Sequence, residues 1–323
     1  MRWLTDDPEQ AGAFLDPGQV WHPAPQRATA EHPSFWSLLA GTHAAWGAEG
    51  EDATSAAYPD RRWVIVNEAA SSQFTTLVVA LKAGVRLPDG LACIALAGQH
   101  FHGQRNRAWH ALRGNLHLTV YYRLEADASR VQAGLAMAPA VAVTQALCSL
   151  SVRGWCPVIK WTNDILINGK KVAGVLTSTM LEGSRIQHVV FGVGMNIDRV
   201  PDLVTTALAP PPGALAAVDS SLRGCLPQAF RLVVQALDDA MVQVRAGHPE
   251  VLFEGYRRQA GFLDRVVSIW SDAQPEGAAV EPLARGRVVE VRPDLSLVLE
   301  GVPEPVTYGR LVLEDSRGWN GPT

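Results

Sequence analysis

The sequence predicts an α+β protein in which helices cover a mixed, mostly antiparallel β-sheet, followed by a small C-terminal β-barrel. Three observations predict this class. From Arg61 onward, strand-like alternation and helical periodicity follow each other along the chain. From about Asp264 the pattern changes to short strands separated by turns, which is typical of a small barrel. With 323 residues, 47% of them hydrophobic, the chain can bury a large core, and its length indicates about two domains, which we place at residues 61–263 and 264–323.

The elements follow from hydrophobic periodicity and from glycine and proline signals. Gly84 is expected to end the first helix of the larger domain, and the proline-rich stretch 210–213 to precede its last helix. The predicted helices are 71–84, 128–150 and 226–247. The predicted strands of the larger domain are 63–68, 91–98, 115–124, 157–161, 164–168, 171–181 and 187–197. In the smaller domain we expect strands within 265–272, 281–294, 295–301 and 306–315.

Residues 1–60 differ from the rest of the chain. They hold two basic and nine acidic residues, a net charge of −7, together with six prolines and four tryptophans. We expect an extension that packs onto the main body through its tryptophans, with one helix over residues 33–47. The acidity excludes a DNA-reading helix-turn-helix, which would place Lys and Arg against phosphates.

Composition excludes several classes of protein. The formal net charge of −4 and the pI near 6.1 do not supply the positive field that non-specific nucleic-acid binding requires. We expect no membrane span and no signal peptide, and therefore a cytoplasmic protein. The cysteines lack CxxC spacing, which argues against a zinc ribbon or a disulfide framework, and we expect buried thiols. They are Cys93, Cys148, Cys156 and Cys225.

The stretch KWTNDILINGKKVAGVL, residues 160–176, predicts a β-hairpin because Asn-Gly is a strong hairpin-turn signal. One interpretation is an ordinary hairpin whose lysines keep its turn soluble. The other is a binding site, since Lys160 just before a buried strand can act as a point charge for an anion and Gly174 permits close approach of a ligand. Strand alternation places Lys170 toward solvent.

The segment 98–120 concentrates polar and basic side chains between two strands. Glycines let a backbone bend around an anion, and guanidinium groups donate charge-assisted hydrogen bonds to phosphate oxygens. A solvated surface loop and a weak His-x-His metal site at His100 and His102 are the alternatives. The residues concerned are Gln99, His100, His102, Gln104, Arg105, Arg107 and Arg113.

Two shorter motifs complete the set. Glu68, Ser71, Ser72 and Gln73 lie between a strand and a helix, where a serine serves as an ordinary N-cap and where free N–H groups also offer a polar binding surface. The motif FGVGMNI places glycines at alternate strand positions before Asn196.

Taken together and in this order, the motifs resemble the catalytic region of biotin protein ligases and, more broadly, the biotin and lipoate ligase superfamily. That family has a Ser-Thr-Asn motif, a Gly-Arg-Gly-Arg-x-Gly-Arg-x-Trp loop, a Gly-x-Asn-Leu strand start, Lys-Trp-Pro-Asn-Asp followed by Gly-Lys-Lys-(Ile/Leu/Val)-Ala-Gly, and a Gly-Ile-Gly-(Ile/Leu)-Asn strand. Here SSQ, GQRNRAW, GNLHL, KWTNDI, GKKVAG and GVGMN stand in those places. The resemblance covers Arg61 to the C-terminus and implies a class II synthetase-like catalytic domain with an SH3-like C-terminal domain.

The resemblance further implies a two-step reaction, in which biotin and ATP with Mg²⁺ form an acyl-adenylate and a lysine of an acceptor protein takes the acyl group. Lys171 would bridge the biotin carboxylate and the α-phosphate. Asp164 would hold Mg²⁺ or accept a proton from the acceptor lysine. The implied substrate contacts are Ser71, Ser72, Gln73, Gln99, His102, Gln104 and Gly174. The implied nucleotide contacts are Arg105, Arg107, Trp109, Lys160, Asn163 and Asn196.

The chain departs from the family pattern in several places. His102 and Gln104 stand where arginines are expected, Phe101 and Asn106 stand where glycines are expected, and Thr162 replaces a proline. Neutral side chains are poorer phosphate partners, so we expect weaker retention of the adenylate. A lipoate or octanoate ligase, and a vitamin- or nucleotide-binding protein without turnover, stay as alternatives. The expected partner is an acceptor such as a biotin carboxyl carrier domain, and an edge strand would support a homodimer.

Overall fold

The computed structural model describes residues 2–14, 21–23, 45–48, 58, 61–151, 154–203, 208–271 and 281–314. Its strands, in chain order, are β1 (Arg2–Thr5), β2 (Trp21–Pro23), β3 (Ala45–Ala48), β4 (Arg62–Val66), β5 (Ala92–Ala95), β6 (Gly98–His102), β7 (Ala108–Ala111), β8 (Leu116–Asp127), β9 (Val158–Lys160), β10 (Asp164–Ile167), β11 (Lys170–Glu182), β12 (Arg185–Met195), β13 (Val266–Trp270), β14 (Ala284–Val291), β15 (Leu297–Leu299) and β16 (Arg310–Leu313). The helices are α1 (Pro8–Phe14), α2 (Gln73–Lys82), α3 (Ala128–Leu150), α4 (Leu215–Val218), α5 (Leu226–Ala246) and α6 (Pro249–Gln259).

Ten of these strands form one central sheet, in the order β2-β3-β1-β4-β5-β8-β12-β11-β10-β9. β4 is parallel to β1 and to β5, and the other neighbours are antiparallel. The predicted mixed, mostly antiparallel sheet is confirmed, and each strand predicted between residues 61 and 263 is present. The sequence did not predict α1, the short α4, or α6, or the pairing of β6 with β7 as a separate two-stranded hairpin.

Strand alternation sends side chains into cores on the two faces of the sheet. On β4, Trp63 and Ile65 enter a core shared with α3 and α5, whereas Val64 and Val66 enter a second core under α2. Successive residues of a strand point to opposite faces, so a strand covered on both sides needs apolar residues at every position. This is why β4 and β5 read as continuous apolar runs.

Helix α3 is the long apolar helix that the sequence predicts. The Asp127 side chain caps it by accepting a hydrogen bond from the Ser129 N–H at 2.9 Å. By length and composition alone, this described helix could cross a membrane, with a mean hydropathy of 1.6 over 18 residues. However, 72% of that window is buried against the sheet and its neighbouring helices, which is the environment of a core helix.

The N-terminal residues extend the central sheet at its β4 edge. β1 pairs in parallel with β4, from Arg2 opposite Arg62 to Thr5 opposite Ile65, and β3 and β2 follow outside it. The Asp6 carboxylate accepts a hydrogen bond of 2.8 Å from the Asn67 N–H and so holds the segment against the end of β4. The predicted helix over residues 33–47 is wrong at residues 45–47, which belong to β3, because pairing with β1 overrides local helical periodicity. The rest of that helix lies outside the described residues.

A buried charge network joins the sheet to α5. The Arg61 guanidinium forms an ion pair with the Asp238 carboxylate, and both side chains are 1% exposed. The Tyr122 hydroxyl donates a hydrogen bond of 2.8 Å to the same carboxylate. Arg61 also lies over the Tyr58 ring, with 4.9 Å between the guanidinium carbon and the ring centroid. Charges buried this deeply are tolerated because they are paired.

The C-terminal segment forms the four predicted strands, which pair in the order β15-β14-β13-β16. Closure of this sheet into an SH3-like barrel stays a prediction. The Trp161 indole donates a hydrogen bond of 2.7 Å to the Leu295 carbonyl and so ties the small sheet to the segment between β9 and β10.

The expectation for the cysteines is only partly correct. Cys93 is buried in β5, whereas Cys225 is half-buried and Cys148 and Cys156 are exposed. Cys148 lies in the last turn of α3 on the side that faces solvent, whereas Leu147 and Leu150 of the same turn are buried.

Candidate active site

A cavity of ≈ 570 Å³ lies where the β6–β7 hairpin, the β9–β12 region of the sheet and the C-terminal sheet meet. Most of the predicted site residues line it. They are Ser72, His102, Gln104, Arg105, Arg107, Trp109, Lys160, Asn163, Asp164, Lys171, Gly174 and Asn196. Three predicted substrate contacts are absent from its lining: Ser71 and Gln99 are exposed elsewhere, and Gln73 is buried in the first turn of α2.

The hairpin of β10 and β11 brings Lys171 and Asp164 together. Asn168 and Gly169 form its turn with φ values of 50° and 75°, as the Asn-Gly signal predicts. A bulge then shifts the register, so that Leu166 faces Lys171 while Ile165 faces Ala173. Val172 is the extra residue, and it places Lys171 on the same face as Asp164 and Gly174. The Lys171 Nζ to Asp164 Oδ1 distance is 2.7 Å, and Lys170 is exposed as predicted.

Two glycines form the floor beneath these side chains. Gly174 and Gly194 are direct cross-strand partners on β11 and β12. A Cβ atom on Gly194 would lie 2.5 Å from the Trp109 ring, and one on Gly174 would lie 3.3 Å from the Lys171 ammonium. The Lys171 Nζ lies 5.6 Å from the Trp109 ring centroid, within cation–π range. The absence of side chains at both positions is therefore what lets Trp109 and Lys171 lie flat on the sheet.

His117 holds Trp109 in place. The Trp109 indole N–H donates to His117 Nδ1 at 3.3 Å, while His117 Nε2 donates to the Leu112 carbonyl at 3.1 Å. This pattern requires a neutral imidazole, because the Nδ1 atom must accept. Burial lowers the pKa of His117 to about 4, against the opposing effect of its bond to the Leu112 carbonyl, so the ring is neutral at physiological pH.

The β6–β7 hairpin forms one wall of the cavity. The sequence predicts a wrapping loop here, whereas the chain forms two short strands joined by a single 3-10 turn at Gln104–Asn106. Arg105 and Asn106 have φ values of 56° and 59°, so the turn is left-handed without glycine. His102 Nε2 lies 3.0 Å from the Thr75 hydroxyl of α2, which gives this histidine a partner other than a metal ion.

Two asparagines organise the loop that follows β12. The Asn115 side-chain oxygen accepts from three successive N–H groups, those of residues 197–199, at distances of 2.9 to 3.1 Å. Asn196 donates from its amide to the Gly213 carbonyl at 2.9 Å, and Gly213 bonds in turn to the Lys171 carbonyl. Asn196 therefore positions the backbone beside Lys171. In the same way, Asn163 donates to the Val175 carbonyl at 2.8 Å and supports β11.

The cavity is strongly cationic. Arg105, Arg107, Lys160, Lys171 and Arg310 line it, and Asp164 is the only carboxylate among the described lining residues. Burial would raise the pKa of Asp164, but the charges of Lys171 and Lys160 outweigh it and hold this pKa below its usual value. Burial also lowers the pKa of Lys160, which is 7% exposed and pairs with Asp164 across β9 and β10. Such a site favours a ligand with several negative charges.

Several lining residues were not predicted. Phe74, His117 and the segment Thr307–Arg310 all face the cavity. In the sequence, the Tyr-Gly-Arg triplet at 308–310 is a weak indication of a binding site, since a glycine in a strand often marks the close approach of a ligand or of another backbone segment. His117 had none, because a histidine within an alternating strand gives no hint of its partner.

Among the described residues of the cavity lining, Asp164 is the only carboxylate that could bind a metal ion. No group of three or more His, Cys, Asp or Glu residues lies together in the described part of the chain, so His100 and His102 do not find further ligands. Mg²⁺ commonly uses one or two carboxylates together with substrate phosphates, and a single carboxylate in a cationic cavity fits that mode of binding.

Fold and site together define a class of protein: an α+β domain whose sheet carries a cationic, glycine-floored cavity for an anionic ligand. Residues 85–196 match the Biotin/lipoate A/B protein ligase family. The resemblance of this segment to the biotin and lipoate protein ligases is therefore confirmed.

Individual relatives support the same assignment. The Bifunctional ligase/repressor BirA of Bacillus subtilis is 34% identical over 116 residues, which cover 36% of this chain and 35% of that protein. A Biotin--[acetyl-CoA-carboxylase] ligase of Paracoccus denitrificans is 36% identical over 125 residues, covering 36% of this chain and 50% of the relative. The chain thus matches about a third to a half of the length of these relatives.

Among solved structures, the biotin protein ligase from Aquifex aeolicus in complex with biotin and ATP superposes with a TM-score of 0.55. It is 17% identical in sequence, and the superposition covers 79% of this chain and 99% of that structure. At this identity the likeness concerns the fold. It extends the similarity well beyond the segment matched by sequence.

Proposed function

We propose that this protein is an ATP-dependent ligase that adenylates biotin and transfers the biotinyl group to a lysine of an acceptor protein. The observation that carries the proposal is the Lys171 ammonium, seated on the glycine floor 2.7 Å from Asp164 in a cavity with five cationic side chains. A biotin carboxylate and ATP repel each other, so a catalyst that joins them must gather positive charge at one point.

In the first step, a carboxylate oxygen of biotin attacks the α-phosphorus of ATP, and pyrophosphate leaves. Lys171 would exchange its contact with Asp164 for contacts with the carboxylate and the α-phosphate, because its flexible ammonium can serve several oxygens. Arg105 and Arg107 would neutralise the phosphates from the hairpin wall. Trp109 offers a flat surface for the adenine ring.

In the second step, the neutral amine of the acceptor lysine attacks the acyl carbonyl carbon, AMP leaves, and the proton released from the amine passes to solvent. A carboxylate with a lowered pKa is a weak base, so Asp164 is better suited to orient the acceptor lysine while it is still an ammonium than to take the proton of the attacking amine. Asp164 would also be the protein ligand of Mg²⁺, which would supply charge neutralisation at the phosphates. Asn163 and Asn196 hold the surrounding backbone in place through hydrogen bonds to the Val175 and Gly213 carbonyls. Lys160 adds a positive charge that helps to lower the pKa of Asp164.

The relatives support biotin as the carboxylate and a carboxylase as the acceptor. The Paracoccus denitrificans relative is named for acetyl-CoA carboxylase, so a biotin carboxyl carrier domain is the proposed partner here. Ser72, His102 and Gln104 would meet the substrate, since all three line the cavity: Ser72 would pair with the ureido ring, and His102 and Gln104 would lie beside the adenylate phosphate.

Pyrophosphate–ATP exchange tests this function directly. The purified protein should exchange pyrophosphate when biotin is added, but not with lipoate or octanoate, and should then label a biotin carrier domain. Lys171→Ala should reduce exchange by roughly a hundredfold or more, as expected for a lost charge contact in the transition state. Lys170→Ala is the matched control, because this neighbour is exposed, and its exchange should stay within about twofold.

Three results would contradict the proposal. Exchange stimulated by lipoate or octanoate would move the assignment to that branch. Tight biotin binding by calorimetry without exchange or transfer would indicate a binding protein. Retained exchange in Lys171→Ala would remove this residue from the mechanism.

A further inference from the structure

A short extended segment, residues 211–213, runs beside Lys171 at a point that β12 does not reach. The ladder between β11 and β12 begins two residues after Lys171, so this part of β11 has another partner. The Lys171 N–H donates to the Pro211 carbonyl at 2.8 Å, and the Gly213 N–H donates to the Lys171 carbonyl at 2.8 Å. Lys171 and Pro212 thereby form a parallel β-bridge. The segment takes the place of β12 beside the lysine.

These two hydrogen bonds support the bulge that turns the lysine toward its carboxylate. A bulge disrupts the ladder locally, so the main-chain groups beside it need other partners. Val172 is the extra residue here, and the neighbouring N–H and C=O groups of Lys171 are both bonded to the 211–213 segment. Without the bulge, alternation would send the Lys171 side chain to the face opposite Asp164. The segment therefore stabilises the register in which the ammonium reaches the carboxylate.

The three successive prolines at 210–212 suit this role. Each proline fixes its own φ at about −65° and restricts the residue before it to extended conformations. Pro211 acts only as an acceptor, through its carbonyl. Pro212 is the middle residue of the parallel bridge, so its nitrogen points away from Lys171 and its missing N–H costs no hydrogen bond there. The chain is thus held extended in the conformation that bonds to Lys171.

Gly213 lets the segment approach β11 this closely. A Cβ atom at residue 213 would lie 2.7 Å from the Lys170 Cβ atom, well inside the distance of about 3.5–4.0 Å at which carbon atoms pack. The Lys170 Cβ atom is fixed by the backbone of β11, so a side chain at 213 would push the segment away from Lys171. On its other side, the Gly213 carbonyl accepts the Asn196 amide at 2.9 Å, and the Leu215 N–H donates to the Asn196 carbonyl at 3.0 Å.

We propose that Gly213 is a positioning residue for the proposed catalytic lysine: it allows residues 211–213 to bond the Lys171 main chain and so fixes the ammonium where biotin and ATP react. This inference rests on the proposed function, and it concerns a residue beyond the family match, which ends at residue 196. Gly213 is not among the residues that line the cavity, so it acts through Lys171 and not by contact with a substrate. Displacement of a reacting group by about 1 Å can cost roughly a hundredfold in rate, so a small movement of this backbone should alter catalysis.

The kinetic test compares Gly213→Ala with the wild type in pyrophosphate–ATP exchange stimulated by biotin. The rate at saturating substrates should fall by roughly tenfold to a hundredfold, while the KM values for biotin and ATP change by less than about threefold, because the lysine contact is strongest in the transition state. The second change Lys170→Gly removes the clashing Cβ atom and should recover most of the rate, whereas Lys170→Ala keeps that atom and should not. Lys170→Gly alone should stay within about twofold of the wild type, since this residue is exposed.

Hydrogen exchange of backbone amides gives a measurement that does not depend on turnover. The chain contains four lysines, which are Lys82, Lys160, Lys170 and Lys171. Isotope-labelled lysine therefore gives four backbone amide signals in an NMR spectrum. In Gly213→Ala the Lys171 amide should exchange at least about tenfold faster, because its bond to the Pro211 carbonyl is weakened, whereas Lys82 and Lys160 should stay within about twofold. Addition of Lys170→Gly should restore the slow hydrogen exchange of Lys171.

A Gly213→Ala variant with the wild-type rate of pyrophosphate exchange would overturn the inference. So would a slower variant whose Lys171 amide keeps its wild-type protection, since the lysine backbone would not have moved. A defect that Lys170→Gly does not relieve, or that Lys170→Ala relieves equally, would show that the close contact is not its cause. A wild-type protein without biotin-stimulated pyrophosphate exchange would instead contradict the proposed function, and the hydrogen-exchange comparison would still test the bond between the segment and Lys171.

Discussion

The hydrogen bond between Trp109 and His117 fixes the position of the Trp109 ring in the wall of the cavity. His117 is 3% exposed and accepts from the indole only while its ring is neutral. In the unfolded chain this ring takes up a proton near pH 6.5, whereas in the folded protein it does so only near pH 4. Between these values the unfolded state binds more protons, so stability falls as the pH decreases from 6.5 to 4.

This linkage predicts an acid-sensitive component of stability. The pKa shift corresponds to a loss on the order of 3 kcal/mol in the free energy of unfolding between pH 6.5 and 4. His117→Phe removes this component but leaves the Trp109 indole without its acceptor, which should cost about 1–3 kcal/mol at pH 7. Urea unfolding at pH 7 and at pH 4.5 measures both effects.

The His248→Gln change is the control for this experiment, because it removes an exposed histidine whose side chain lies 3.0 Å from the Glu250 carboxylate at the surface. It should retain the wild-type dependence on pH. If His117→Phe also lost as much stability as the wild type on acidification, the neutral His117 would not be the cause.

At the scale of elements, the β10–β11 hairpin shows how a one-residue irregularity creates the site. In a regular ladder, alternation separates the faces of Lys171 and Gly174, because the two lie three residues apart. The extra residue Val172 removes this separation and brings the ammonium to Asp164. The turn was predictable from Asn-Gly, but the bulge was not, since bulges have no comparable signal in a single sequence.

The β6–β7 hairpin leads to a prediction about release of the intermediate. His102 and Gln104 line the cavity, at positions where the family pattern has arginines. The double change His102→Arg with Gln104→Arg should slow release of the biotinyl-adenylate by roughly tenfold or more, since each guanidinium adds charge-assisted bonds to the phosphate. Stopped-flow measurement of release from the preformed complex tests this.

The control places an extra arginine at a position outside the cavity lining. Gln145→Arg lies on an exposed position of α3 and should leave the release rate unchanged. An unchanged rate in the double hairpin variant as well would show that these two side chains do not approach the phosphate.

At the scale of the whole molecule, the Arg61–Asp238 pair connects the central sheet to α5 inside the core. Asp238→Asn leaves a buried guanidinium without its countercharge, so the free energy of unfolding should fall by about 3–5 kcal/mol. The neighbouring exposed change Asp239→Asn should cost less than about 0.5 kcal/mol. Denaturant unfolding of both variants makes the comparison.

The double variant Arg61→Met with Asp238→Leu separates charge from packing. Removing both charges should recover most of the lost stability, because an apolar pair avoids the desolvation cost. A double variant as unstable as Asp238→Asn would instead assign the loss to the shape of the core or to the Tyr122 hydroxyl, which loses its acceptor.

Much of the architecture could be predicted from local pattern. Periodicity placed the three long helices and the strands of the larger domain, since apolar residues must repeat at 2.0 or 3.6 to face a core. α6 was not predicted, although a proline in its first turn is a helix-start signal. In the structure its Tyr256 hydroxyl donates a hydrogen bond to the Thr162 carbonyl and so connects this helix to the cavity lining. The edge strands were missed because strand pairing with distant residues decides them.

The sequence by itself determined the chemical inventory of this protein: the ordered motifs, the lysine-rich hairpin, the alternate glycines and the family that they indicate. Residue type and spacing are local properties, so a single chain reveals them. Only the tertiary structure decided which groups meet. Ser71, Gln73 and Gln99 do not line the cavity. A bulge brings the Lys171 ammonium into contact with the Asp164 carboxylate, and the C-terminal sheet contributes Arg310 to the cavity lining. Such meetings depend on register and on contacts between distant segments, which no local pattern records.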